Sequence, residues 1–140
     1  MTARTLYRGT VFRAEHDSTY DFWGSEQPPR SKLCLVFNAE PVSDGAEVHY
    51  FLTTSKVAKY RETPSILSDV LILPPASYDF FPDETLLDFR HLCVVPFAKL
   101  ATHRISIKGT ISEEDVRRCA EIISKARLLE NRAKRLLRLR

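Results

Sequence analysis

Two apolar stretches decide the fold of this chain: KLCLVFN at residues 32–38 and EVHYFLT at residues 47–53. Both are rich in the aliphatic and aromatic residues that are found in strands. Between them lies PVSDG at residues 41–45, with the proline, aspartate and glycine that are typical of turns. The two stretches therefore predict an antiparallel hairpin.

Working outward from the hairpin, five shorter segments also have the composition of strands. They are Thr10–Ala14, Asp69–Leu73, Thr85–Leu87, His91–Val95 and Arg104–Lys108. Residues 96–101 predict a single helical turn, and residues 57–65 read as a loop or a short turn. Short strands separated by turn signals predict a small barrel or sandwich rather than a parallel sheet.

The C-terminal part of the chain predicts a helix. The motif SEED at residues 112–115 resembles a capping box, and its acids suit the positive end of a helix dipole. Apolar residues then recur every three or four positions, and no proline follows before Arg140. This pattern predicts one helix of about 40 Å, whose end projects, frays or packs on a partner. We divide the chain into a domain at 1–128 with its closing helix and a basic helical extension at 129–140.

Composition is that of an ordinary globular protein, with 140 residues, 44% hydrophobic and 28% charged. No window approaches the roughly 18 apolar residues of a membrane helix, and residues 1–5 lack the apolar core of a signal peptide. The three cysteines have no CxxC spacing, which indicates buried thiols rather than a disulfide or a zinc site. We therefore expect a cytoplasmic protein without a membrane segment, a metal site or a cofactor.

Positive charge is concentrated at the C-terminus. Residues 1–111 carry 12 Lys and Arg against 13 Asp and Glu, whereas residues 112–140 carry 9 against 5. Electrostatic attraction to a nucleic acid is therefore expected to be local, or to come from the tail.

Two polar clusters lie next to the hairpin strands. The loop GSEQPPR at residues 24–30 places Glu26, Gln27 and Arg30 before the first strand, and TTSK at residues 53–56 ends the second. Arginine presents a rigid fork to phosphate, and a nearby hydroxyl adds a hydrogen bond. Either cluster alone is equally compatible with a solvated strand end, but together they predict a phosphate-binding groove.

A third cluster is DFRH at residues 88–91. On a strand Asp88 and Arg90 share one face, so a plain ion pair is one interpretation. The alternative makes Asp88 a general base with an arginine as its charge partner. The four histidines are far apart in sequence and show no metal-ligand spacing.

In order along the chain, these motifs resemble the MazF/PemK family of toxin ribonucleases. The resemblance covers about residues 7–127 and rests on RGTVF at 8–12, GSEQ at 24–27, Arg30, TTSK at 53–56 and KGTISEED at 108–115. It implies an α+β fold that is mainly β with a C-terminal helix: an SH3-like β-barrel, usually a homodimer. It also implies a toxin that cuts single-stranded RNA without a metal ion, leaving a 2′,3′-cyclic phosphate and a 5′-hydroxyl.

The same resemblance implies a set of site residues. Arg30, Thr53 and Asp88 would be catalytic, and RNA would be bound by Glu26, Gln27, Lys32, Thr54 and Lys56. Lys32 is also the alternative counterpart of the family's arginine, because Pro28 and Pro29 precede Arg30 and Ser31 follows it. The expected protein partner is an antitoxin whose disordered segment folds into the groove.

Two other functions remain open from the sequence. One is a non-catalytic SH3-like module that binds a nucleic acid or a protein through the 15–30 loop and the basic C-terminal helix. The other is a toxin of the same fold that targets a protein, because a fold alone does not choose a substrate.

Overall fold

The computed structural model describes residues 6–15, 32–101 and 104–138. Within these ranges the chain forms one antiparallel sheet of seven strands. The strands are β1 (Thr10–Glu15), β2 (Lys32–Val36), β3 (Glu47–Thr54), β4 (Val70–Leu73), β5 (Thr85–Asp88), β6 (Cys93–Pro96) and β7 (Arg104–Thr110). The helices are α1 (Val57–Arg61), α2 (Phe97–Ala101), α3 (Glu113–Lys125) and α4 (Asn131–Leu136), with a 3-10 helix at Pro64–Asp69 before β4.

The long strand β3 organises the sheet. One edge pairs with β2, as the predicted hairpin requires. The other edge pairs with β6 over Glu47–Tyr50 and with β5 at Thr53 and Thr54. Two partners fit along one edge because β3 has eight residues, about 26 Å of strand, whereas β5 and β6 have four each. The C-terminal end of β3 is therefore held between β2 and β5.

The remaining pairings give the order β4-β5-β3-β2-β1-β7, with β6 beside β3. This confirms a mainly β, α+β fold. Among the strands that the structure describes, no pairing joins the end strands β4 and β7, so the described sheet is not closed into a barrel. None of the helices in the described ranges has the length and hydrophobicity that crossing a bilayer requires.

Both faces of the sheet are buried. Successive strand residues point to opposite faces, so in β2 Leu35 joins one apolar core while Cys34 and Val36 join another. The first core lies under α3, which contributes Cys119 and Ile123. Burial on two sides explains why the hairpin strands are continuously apolar instead of alternating with polar residues.

The C-terminal helix begins as predicted but does not continue to the end. Ser112 caps α3, because its Oγ accepts a hydrogen bond from the backbone N–H of Asp115 at 3.1 Å. The prediction of one helix from Ser112 to Arg140 is wrong: α3 ends at Lys125, and α4 begins at Asn131. Because of this break, Leu129 and Leu137 are buried in the same core as the apolar residues of α3. In one straight helix they would extend beyond that core.

The predicted strands are confirmed, with bounds that differ by a few residues, and α2 is the predicted helical turn. Residues 57–65, read as a loop or short turn, instead contain α1 and the start of the 3-10 helix. The amphipathic pattern of these two short helices is weak, because their buried apolar residues are Val57 in α1 and Ile66 in the 3-10 helix.

Candidate functional site

A groove of about 500 Å³ lies where β3 ends and α1 begins. Its wall combines three kinds of polar side chain with aromatic and aliphatic ones. The cations are Arg13, Lys56 and Lys59; the hydroxyls are Thr53, Thr54, Ser55 and Thr85; the carboxylates are Asp83 and Asp88; and the other lining residues are Leu33, Leu52, Tyr60, Phe80, Phe81 and Pro82.

The groove brings together several of the residues that the sequence singles out. Thr53 and Thr54 are the last residues of β3, Lys56 lies between β3 and α1, and Asp88 is the last residue of β5. They meet because Thr53 and Thr54 pair with Leu87 and Leu86 in the sheet. The pairing of β3 with β5, two strands that are distant in sequence, therefore brings these residues together.

The two threonines have different hydrogen bonds. Thr53 is only 7% exposed, and its Oγ1 donates to the backbone carbonyl of Leu33 at 2.9 Å, which ties β3 to β2. The Thr54 Oγ1 instead accepts the backbone N–H of Lys56 at 3.1 Å. The hydroxyl proton of Thr53 is therefore engaged, whereas that of Thr54 has no acceptor among the groups that the structure describes.

Lys56 and Lys59 supply positive charge beside these hydroxyls. Both are exposed, and among the carboxylates whose side chains the structure describes, none lies at ion-pair distance from either ammonium group. Lys56 immediately precedes α1 and Lys59 lies in it. An anionic ligand would therefore meet cations whose charge is not already neutralised by the residues described around them.

Asp88 forms the ion pair that was one interpretation of its spacing from Arg90. The Arg90 guanidinium donates to both carboxylate oxygens, from Nε at 2.9 Å and from Nη2 at 2.7 Å. The backbone N–H of Arg90 also donates to Oδ1 at 3.1 Å. These bonds raise the pKa of Arg90, and they occupy the carboxylate with a fixed cation. To act as a general base, Asp88 would have to exchange that partner for a substrate proton.

Tyr60 is a groove residue that the sequence reading missed. It lies half-buried in α1, and the Arg90 guanidinium carbon stands over its ring at 5.4 Å from the centroid. Lys56, Lys59 and Tyr60 form the pattern KxxKY, in which two basic residues precede an aromatic one. This pattern could have indicated a cationic surface with an aromatic side chain, but the polar composition of residues 57–65 predicts a loop or a short turn.

Three of the predicted site residues, Glu26, Gln27 and Arg30, lie outside the described residues. Lys32 is described as the first residue of β2, where its backbone pairs with Ala14 of β1. The groove residues Arg13 and Leu33 belong to these same two strands. The strands on either side of the segment 16–31 therefore contribute directly to the groove wall.

Two of the three cysteines have thiols that burial shifts away from the reactive thiolate form. Burial raises the pKa of Cys93 to about 11 and that of Cys119 to about 12, so both stay protonated at neutral pH. In the part of the chain that the structure describes, no three His, Cys, Asp or Glu side chains are grouped so that they could hold a metal ion. In comparisons with known proteins, no family model and no curated sequence matches this chain.

Proposed function

We propose that this protein is a MazF-like toxin, an endoribonuclease that cuts single-stranded RNA in the groove at the end of β3 without a metal ion. One observation carries the proposal: a single groove contains Thr53, Thr54, Lys56 and Asp88, which the ordered sequence resemblance assigns to RNA. Hydroxyl donors beside cations suit a phosphodiester, which offers anionic oxygens as acceptors.

The proposed reaction needs positioning, charge stabilisation and two proton transfers. The RNA 2′-oxygen gives its proton to water and bonds to the adjacent phosphorus, while the bond from phosphorus to the 5′-oxygen breaks. The 5′-oxygen takes up a proton from water, and the products are a 2′,3′-cyclic phosphate and a 5′-hydroxyl. Negative charge grows on the non-bridging oxygens, where Lys56, Lys59 and the Thr54 hydroxyl would stabilise it.

The roles of the other groove residues follow from their contacts. Thr53 would act by holding the end of β3 against Leu33, so that Thr54 and Lys56 face the substrate. Asp88 would fix Arg90 in place, and it takes part in proton transfer only if it leaves that ion pair. Arg30 remains the expected phosphate ligand from the resemblance.

We infer that the sheet belongs to the SH3-like barrel class. The supporting feature is β3, whose second edge pairs with β6 in its first half and with β5 at its end, so the sheet divides into two parts along one strand. Such sharing of a long strand is how small barrels turn their corners. A homodimer, an antitoxin partner and a cytoplasmic location belong to the same proposal.

The test is cleavage of a long unstructured RNA in excess EDTA, with the new ends mapped. We expect site-specific cuts with 5′-hydroxyl ends. Thr54→Val keeps the side-chain shape but removes the donor, together with the acceptor of the exposed Lys56 N–H, which water can replace, so the cleavage rate should fall about tenfold to a hundredfold. Lys56→Ala and Arg30→Ala should reduce it at least as much. Lys125→Ala is the matched control, because it removes an exposed cation of α3 outside the groove.

Thr53→Val should behave differently from Thr54→Val. It leaves the Leu33 carbonyl without its partner, so the thermal melt should shift as well as the rate. Intact RNA after incubation with folded wild-type protein would contradict the ribonuclease proposal and favour the non-catalytic module.

A further inference from the structure

We propose that Tyr60 is a stacking platform for one unpaired base of the RNA, and that the Asp88–Arg90 ion pair positions its ring. The inference rests on the proposed function for the identity of the ligand. It adds what the phosphate-binding groups cannot provide, which is a contact with a base rather than with the backbone.

The ring of Tyr60 has a defined support on one side. Arg90 lies over it at 5.4 Å, a distance at which a guanidinium is attracted to the electrons of the ring. Arg90 is itself held by the two hydrogen bonds from its guanidinium to Asp88. The guanidinium and the carboxylate are both planar. Their pairing therefore restricts the orientation in which the guanidinium lies over the Tyr60 ring.

The position of Tyr60 in the groove suits a base. Lys56 and Lys59 come from the same short segment and line the same groove, so a backbone bound to them would run past the phenol ring. Proteins that bind single strands combine such a cationic track with an aromatic surface on which a base stacks. Tyr60 packs against the buried cluster of Val57, Val70 and Leu86, and the part of its side chain that this packing leaves uncovered lines the groove.

Phe80, the other half-buried aromatic of the groove, is less suited to this role. It is already stacked on Tyr78, with the centroids 5.1 Å apart and the planes at 16°. Gly109 packs so closely on the same ring that a Cβ there would lie 2.7 Å from Cε2 of Phe80. These neighbours occupy the surface of Phe80 that a base would need.

The test is binding of a fluorescent, single-stranded 2′-O-methyl oligonucleotide, which cannot be cleaved because its 2′-oxygens are blocked. Fluorescence anisotropy gives the Kd. Loss of one stacked base corresponds to about 1–3 kcal/mol, so Tyr60→Leu should raise the Kd roughly fivefold to 150-fold. Tyr60→Phe keeps the ring and should bind within about twofold of the wild type.

An abasic scan of the same oligonucleotide separates stacking from a structural effect. At one position, removing the base should weaken binding by the wild type but not by Tyr60→Leu, because the base and the ring are partners. Asp88→Asn weakens the ion pair that holds Arg90, so this single variant should bind the oligonucleotide less tightly than the wild type. In the Tyr60→Leu background, the same substitution should change the Kd little.

The possible results are distinguishable. If the wild type binds the oligonucleotide and Tyr60→Leu binds it equally well, the stacking inference is overturned while the proposed function is untouched. If the wild type binds no oligonucleotide at all, both are overturned. If binding follows the predicted pattern but RNA stays uncut, the platform is supported and the ribonuclease proposal fails.

Discussion

The buried carboxylate of Asp69 is predicted to hold the C-terminal segment in place. Asp69 has no exposed surface, and it lies at the end of the 3-10 helix, before β4. Its Oδ1 accepts the backbone N–H of Arg127 at 3.0 Å, and its Oδ2 accepts that of Leu128 at 2.7 Å. These two N–H groups lie in the break between α3 and α4, so Asp69 supplies acceptors that a continuous helix would have supplied.

The change Asp69→Asn tests this reasoning at nearly constant volume. The amide keeps one carbonyl oxygen, so one N–H retains a neutral acceptor while the other faces an NH2 group. A hydrogen bond to a charged acceptor contributes about 1.5–3 kcal/mol, and a buried donor without a partner loses about 1–3 kcal/mol. We therefore expect the free energy of unfolding to fall by about 2–4 kcal/mol.

The measurement is urea unfolding followed by circular dichroism, together with amide hydrogen exchange of Arg127 and Leu128. Those two amides should exchange faster in Asp69→Asn even under conditions where the sheet stays folded. The control is Asp79→Asn, which changes an exposed carboxylate and should alter stability by less than about 0.5 kcal/mol. A similarly small change for Asp69→Asn would show that the carboxylate does not anchor the segment.

Two further predictions concern other parts of the core. Gly109→Ala should destabilise the protein by about 1–3 kcal/mol, because the new Cβ meets the Phe80 ring at 2.7 Å and φ is +158° there. In the double mutant, Phe80→Ala should remove the part of this penalty that comes from the clash and leave the backbone strain; equal penalties in both backgrounds would contradict the clash. Burial lowers the pKa of His49, so below about pH 6.5 the unfolded chain binds the proton more readily than the folded one. Stability should therefore fall as the pH drops from about 7.5 to 5.5, and His49→Gln should flatten that slope in urea unfolding curves.

Much of the fold could be predicted because its strands are local patterns. The stretch at residues 32–38 predicts β2 from its composition alone, and the turn at residues 41–45 predicts its pairing with β3. The cap of α3 was likewise predictable, because Ser112 and its acidic neighbours act within one turn of helix. Each of these features depends on residues that are close in sequence.

The break after Lys125 was not predictable in the same way. The apolar period continues through Leu129 and Leu137, so the local signal for one helix is intact. The competing interactions come from elsewhere: Asp69 binds the backbone of the break, and Arg8 donates from Nη2 to the carbonyl of Leu137 at 2.6 Å. Tertiary contacts therefore override a helical preference that the sequence expresses clearly.

The groove likewise combines features that the sequence predicts with features that depend on tertiary contacts. The polar residues of TTSK at residues 53–56 and of DFRH at residues 88–91 could be identified as site candidates, because hydroxyls and cations at strand ends favour anionic ligands. Their proximity depends on the pairing of β3 with β5. The ion pair of Asp88 with Arg90 depends on the position of the Arg90 guanidinium, which lies over the Tyr60 ring.

By itself, the sequence determined which segments are strands, where α3 begins and which residue types stand at the strand ends. These properties follow from side-chain chemistry and local hydrogen bonding. Only the tertiary structure decided that the chain folds back after α3, that the Thr53 hydroxyl is engaged by the Leu33 carbonyl, and that Thr54 and Asp88 line one groove. Those outcomes depend on which distant groups meet in a low-dielectric interior, where a buried polar group must find a partner.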